Sequence, residues 1–71
     1  MEIKYDKEAD AIYIKLKDGE FGKNKVVEKD IIIDLDKKGD ILGIEILSVS
    51  KRIPSKSLNE ISFKNLPQIP A

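Results

Sequence analysis

The sequence has no cysteine, no histidine and no tryptophan. Lack of cysteine removes disulfides and every thiolate metal site. Lack of histidine removes the usual general base and the commonest zinc ligand. Arginine is almost absent too, with Arg52 alone among thirteen basic residues, and thirteen acidic residues cancel the charge to zero. A nucleic-acid partner is therefore not expected, since phosphate binding needs a basic excess and base readout favours arginine. Apolar runs are short: none approaches the roughly 18 residues of a membrane span. The opening stretch MEIKYDKEAD has no hydrophobic signal region. The expectation is a cytoplasmic protein with no membrane partner. Chemistry is left to Asp, Glu, Lys, Tyr and Ser, none of them in a recognisable catalytic arrangement, so neither enzymatic activity nor a cofactor is expected.

What the sequence does have is isoleucine in strand-like alternation. A chain of 71 residues is one domain, placed here at residues 1–66 with an extended tail at 67–71, and folding at this size buries only roughly 60% of the unfolded surface. Ile3 and Tyr5 alternate with charged residues. After the loop KEAD, the run AIYIKL puts Ile12, Ile14 and Leu16 on one face,. A four-residue loop at 7–10 would pair Ile3 with Ile14 and Tyr5 with Ile12. Residues 17–24, KDGEFGKN, read as a loop,. Val26 and Val27 begin a further strand that reaches Ile31 through a kink at 28–30, and IIIDLD is a strand by its β-branched content,.

The stretch DLDKKGDILGIE, Asp34 to Glu45, lies close to the EF-hand spacing D-x-[DN]-x-[DN]-G-x5-E. Its flanks argue otherwise, because a helix–loop–helix needs helices where this chain has β-branched alternation. Lys38 also stands where a side-chain ligand belongs. Asp36 to Gly39 instead fits a type I turn ending in a left-handed glycine. With Asp36 opposite Asp40, the expected pairs are Leu35 with Ile41, Asp34 with Leu42, Ile33 with Gly43 and Ile31 with Glu45. That register sends Asp34 and Glu45 to opposite faces. No metal site is assigned. The weak candidates are Asp34, Asp36 and Asp40, which share one face of the hairpin and are read as a solvated turn balanced by Lys37 and Lys38. Asp6, Glu8 and Asp10 read as turn formers, and Tyr5 and Tyr13 as packing at the core's edge.

After Leu47 the pattern changes. SVSKRIPSKSLNE carries Ser at cap positions and a capping box from Ser57 to Glu60, with Pro54 interrupting, so one or two short helical turns are expected,. ISFKNL alternates in a way that suits a strand slightly better than a helix.

The combination YDKEADAIYIKL, IIIDLDKKGDILGIEIL and SVSKRI resembles the bacterial and archaeal family Domain of Unknown Function 2283 (DUF2283). The motifs D-x-D-x-x-G-x-x-x-G-I-E-I-L and Y-D-x-x-A-D-x-x-Y-I carry the likeness, from about Tyr5 to Ile53. The resemblance implies a compact antiparallel sheet with C-terminal helical structure. Neighbouring genes in that family suggest an antitoxin-like role beside a small toxin-like partner; it brings no set of functional residues.

The fold class expected is α+β: a small antiparallel sheet of hairpins, the hairpin at 31–47 central, with short helical structure after Ser48 covering one face. The candidate core is Ile3, Tyr5, Ile12, Ile14, Leu16, Ile33, Leu35, Ile41, Ile44, Ile46 and Leu47. In the register above, Ile31, Ile33, Leu35, Ile41 and Leu47 lie on one face of the hairpin and Ile32, Leu42, Ile44 and Ile46 on the other. Two apolar faces and one small cover point to self-association as a homodimer. The function expected is a non-catalytic protein-interaction module, with a structural homo-oligomer as the alternative and a carboxylate-based enzyme as the minor one.

Overall fold

Short β-branched runs separated by polar turns can satisfy their backbone groups only by pairing with one another. The computed structural model describes residues 1–67, and in it five such runs form one antiparallel sheet. The strands are β1 (Glu2–Asp6), β2 (Ala11–Lys15), β3 (Phe21–Glu28), β4 (Ile31–Asp36) and β5 (Ile41–Ile46), in the order β1-β2-β5-β4-β3. The hairpin of β4 and β5 occupies the middle, as expected. A 3-10 turn at Val49–Lys51 and a single helical turn, α1 (Ser55–Leu58), follow. The structure is thus dominated by its sheet. Its helical part is too small to make a layer, so an α+β description holds only in part. No helix among the described residues is long and apolar enough to cross a membrane.

The first hairpin has the expected register, with Ile3 opposite Ile14 and Tyr5 opposite Ile12. Asp6 accepts a hydrogen bond from Ala9 N–H at 3.1 Å, and Asp10 closes the turn in a left-handed conformation, φ 53. The turn of the central hairpin is also as expected. Gly39 is left-handed, φ +92, and its N–H donates to the Asp36 carbonyl at 3.0 Å.

Beyond that turn the register differs from the expected one. Leu35 pairs with Ile41, but the next pair is Asp34 with Gly43, followed by Ile33 with Ile44, Ile32 with Glu45 and Ile31 with Ile46. Leu42 is an extra residue, a β-bulge, and every later residue of β5 changes face relative to the regular ladder. Paired residues share a face, so Ile44 and Ile46 join Ile31, Ile33, Leu35, Ile41, Ile12, Ile14, Ile3 and Tyr5 on one side. Asp34 and Glu45 share the other side, contrary to the alternation argued from the unbulged hairpin. The sheet therefore has one apolar face and one mainly polar face. The bulge has a visible cause: Leu42 is packed under the loop between β2 and β3, where a Cβ on Gly19 would stand 2.7 Å from its side chain.

Two further elements depart from the sequence reading. β3 begins at Phe21, inside the stretch read as loop, because Gly22 lets its backbone come against that of β4. A Cβ there would lie 2.5 Å from the Asp36 carbonyl oxygen. Residues 28–30 are not a kink; the chain reverses at Lys29 and Asp30 so that β3 pairs antiparallel with β4.

The core is smaller than expected. Leu42, 7% exposed, and Val49, fully enclosed, are the buried hydrophobic residues among those described. None of the eleven candidate core residues reaches that state, and Ile3 and Ile41 are each 42% exposed. Val49 is held by backbone bonds at the end of the sheet, its N–H donating to the Asp10 carbonyl at 3.0 Å, while Leu47 N–H donates to Asp30 at 2.8 Å. The segment after Ser48 does not close the isoleucine face. Apart from Val49, Ile53 and Leu58, its described residues are exposed. α1 starts after Pro54 with no side-chain cap, so the capping box at Ser57 is not formed, and 61–66 adopts neither strand nor helix. Of the expected tail, Pro67 is exposed and 68–71 lie outside the described residues.

Two glycines separate backbone strain from packing. Gly39→Val meets open space but a left-handed backbone and is expected to lower stability by about 1–2 kcal/mol. Gly43→Ala meets the Tyr13 ring and the Ile14 carbonyl and is expected to lower it by about 1–3 kcal/mol. Urea denaturation checks both, and an unchanged midpoint for Gly43→Ala would contradict the bulged register.

Candidate functional site

Three groupings of side chains deserve comparison, each positioned by the sheet. The first is the turn at 36–40, where the weak metal candidates fall. Asp36 Oδ1 accepts hydrogen bonds from Lys38 and Asp40 N–H, both at 2.9 Å, and its Oδ2 stands 3.3 Å from Lys17 Nζ. The Asp40 N–H bond, with those of Lys38 and Lys17, holds the Asp36 carboxyl below the ordinary aspartate range. Asp40 is itself 3.3 Å from Lys17, whose ammonium is raised by its bonds to Asp40 and Asp36. Asp34 instead accepts a hydrogen bond from Asn24 Nδ2 at 3.0 Å. These three carboxylates are thus not brought together: two brace a turn around Lys17 and the third serves another cluster. Among the described residues no group of three acidic side chains is placed to hold a metal ion.

The second grouping is on the polar face. Tyr13 is out of phase with Ile12 and Ile14, so it leaves their face and pairs with Glu45. Its ring covers Gly43, the only kind of residue that leaves room, since a Cβ there would lie 2.5 Å from the hydroxyl. Burial raises the pKa of the Tyr13 phenol, and the neighbouring Asp34 raises it further. Burial likewise raises the Glu45 carboxyl, again with Asp34 as the second cause. Asn24, Asp34, Glu45 and Tyr13 thus form a shallow polar strip across β3, β4, β5 and β2. Sequence reasoning missed it because Asn24 was assigned to a loop and Glu45 to the opposite face. The signal that could have found it is Tyr13 itself, standing in phase with Lys15 rather than with the isoleucines.

The third grouping is the isoleucine face. Across its middle runs a ladder row of Ile3, Ile14, Ile44, Ile33 and Lys25, flanked by a row of Tyr5, Ile12, Ile46, Ile31 and Glu28. Charge occurs in these rows only on the edge strand β3. At the opposite edge, Met1, Ile3, Ile61 and Phe63 line an open apolar hollow of about 480 Å³. Phe63 remains 76% exposed there. The remaining acidic candidates are structural. Asp10 accepts from Ser50 N–H at 3.0 Å and Ser50 Oγ at 2.7 Å, docking the 3-10 turn, while Asp6 shapes the first turn and Glu8 is exposed within it.

These features define a small β protein made of a single antiparallel sheet with one polar and one apolar face. The chain belongs to the family described as Protein of unknown function (DUF2283), whose profile matches residues 2–50. It is similar to an uncharacterized protein of Methanocaldococcus jannaschii, 43% identical over 51 residues. The match covers 72% of this chain and 43% of that relative, so the chain spans less than half of the relative's length. No solved structure matches.

The polar strip makes a prediction of definite sign. A carboxyl whose folded pKa is raised contributes its full stability below the unfolded value, about 4.3 for Glu, and loses it as pH rises through the folded pKa. Glu45→Gln removes that loss. The variant is expected to melt higher than the parent at pH 7, with the difference vanishing below about pH 4, as followed by circular dichroism. Asp36 acts in the opposite sense, its stabilisation disappearing as the solution is acidified.

Proposed function

We propose that this protein is a non-catalytic, cytoplasmic protein-binding module whose working surface is the isoleucine face. The observation that carries the reading is that ten residues, Ile3, Tyr5, Ile12, Ile14, Ile31, Ile33, Leu35, Ile41, Ile44 and Ile46, share one side of the sheet, Ile3 and Ile41 exposed and the other eight half-buried. Contiguous apolar surface with a charged margin is the usual mark of a protein interface. The polar strip supports a catalytic reading less well. Its carboxylates, Asp34 and Glu45, are half-buried within the sheet, where Asn24 bonds Asp34 across the strands and Tyr13 covers Gly43. The reading accommodates two kinds of occupant, a second copy of the chain or a different small protein such as a toxin-like partner.

Photo-crosslinking in cells separates the faces. A benzophenone amino acid in place of Ile12 is expected to give covalent protein adducts. The same group in place of Lys4, on the polar side of β1, is expected to give none. Equal adducts from both positions, or none from Ile12, would overturn the assignment.

A further inference from the structure

We infer that the occupant of the isoleucine face is a second copy of this chain, the two sheets packed face to face about a two-fold axis that runs parallel to the strands and passes by Ile44. This rests on the reading of that face as a protein-binding surface and names its partner.

Surface area gives the first argument. A compact monomer of 8.0 kDa exposes about 4,500 Å², whereas this chain exposes 6024 Å². The excess, about 1,500 Å², is nearly twice the roughly 800 Å² that each partner buries in an ordinary stable interface. The exposed segment 59–67, the exposed strand β3 and the isoleucine face, where Ile3 and Ile41 are each 42% exposed, all contribute to it.

The cover also has to be permanent. Ordering a residue's backbone costs about 1–2 kcal/mol, and a core in which Leu42 and Val49 are buried and the isoleucines of the face at most half-buried offsets only part of that. A single sheet layer lacks the second layer that stable domains require. A partner met only occasionally would leave the chain without one in between. A second copy is present whenever the first is, and its isoleucine face is the matching apolar surface.

The distribution of charge selects the axis. Lys23 and Lys25 pair with Leu35 and Ile33, so both lie on the isoleucine side of edge strand β3. An axis perpendicular to the strands and passing by Ile44 would stack β3 on its own copy and set Lys25 against Lys25, with Lys23 facing Glu28 on either side. An axis along the strands places β3 over β1 of the partner instead. Ladder rows then face themselves end for end. Lys25 meets Ile3, Glu28 meets Tyr5, and Ile44 meets its own counterpart at the centre, in the aligned packing of β-sandwich layers about 10 Å apart. The lysine stems cover apolar surface while their ammonium groups reach water at the rim.

The test uses the intact chain. Size exclusion coupled to light scattering at micromolar concentration is expected to give twice the chain mass of 8.0 kDa, and the melting temperature is expected to fall on dilution, as for a dimer whose folding and association are linked. Ile44→Lys, which puts a charge on the axis, is expected to weaken association at least about 30-fold. Val26→Lys, on the polar side of edge strand β3, is expected to leave it unchanged. A monomer with a concentration-independent melting temperature would overturn the inference. So would a dimer broken by Val26→Lys and spared by Ile44→Lys, which would place the contact at the sheet edge. A monomer unfolded by Ile61→Ser with Phe63→Ser would mean that the chain's own C-terminal segment is the cover. Adducts from Ile12 to a different protein, with a monomeric chain, would refute the second copy while leaving the binding face in place.

Discussion

A single inserted residue in the central strand decides the character of both faces of this sheet. Leu42 bulges between Asp34 and Leu35 of the neighbouring strand, and the ladder beyond it is displaced by one. Without it, Ile44 and Ile46 would lie beside Glu2, Lys4 and Lys15, and Glu45 would lie among the isoleucines. With it, the aliphatic side chains of four strands gather on one side. The bulge is held from both directions. Leu42 is enclosed beneath the loop at Gly19, and the adjacent Gly43 is flattened beneath the Tyr13 ring.

The rest of the molecule is arranged around a sheet with no second layer of its own. Local devices fix its ends: the Asp36 carboxylate gathers two backbone N–H groups and Lys17, and Asp10 holds Ser50 and thereby seats Val49. Arg52 reaches Glu28 at 3.4 Å and Asp30 at 3.6 Å, tying the same C-terminal turn to the hairpin of β3 and β4. Exposed ion pairs of this kind contribute little individually. They position the turn, while in the proposed dimer the main apolar stabilisation comes from the covered isoleucines. In that proposed dimer, stability and function are joined in one surface, because a change that uncovers that face removes the interaction and weakens the fold together.

Much of this was legible in the sequence, for reasons that were local. Alternation in EIKYD and AIYIK set the first hairpin register, and DKKGD announced the turn with its left-handed glycine. The bulge was not legible, because an extra residue is fixed by a contact from elsewhere in the chain, here the loop at Gly19. One missed residue inverted the faces of Gly43 to Ile46. It produced the expectation of two apolar faces and the mistaken separation of Asp34 from Glu45. The start of β3, before Val26, was hidden for a similar reason, since FGKNK has no apolar alternation and its pairing depends on Gly22 closing against Asp36. The polar strip could not be seen until the register was known. The isoleucines themselves were visible from the start, though not which of them share a face.

In the proposed dimer an apolar face of ten residues, bounded by Lys23, Lys25 and Glu28 on a single edge strand, is completed by a like face. The most direct measurement is an isotope-filtered NOE spectrum of a mixture of labelled and unlabelled chains, which sees only contacts between copies. The account requires signals between the Ile44 methyl groups of the two chains and between Ile3 of one and the Lys25 side chain of the other. Contacts between copies at Val26 with none at Ile44, or no contacts between copies at all, would contradict it.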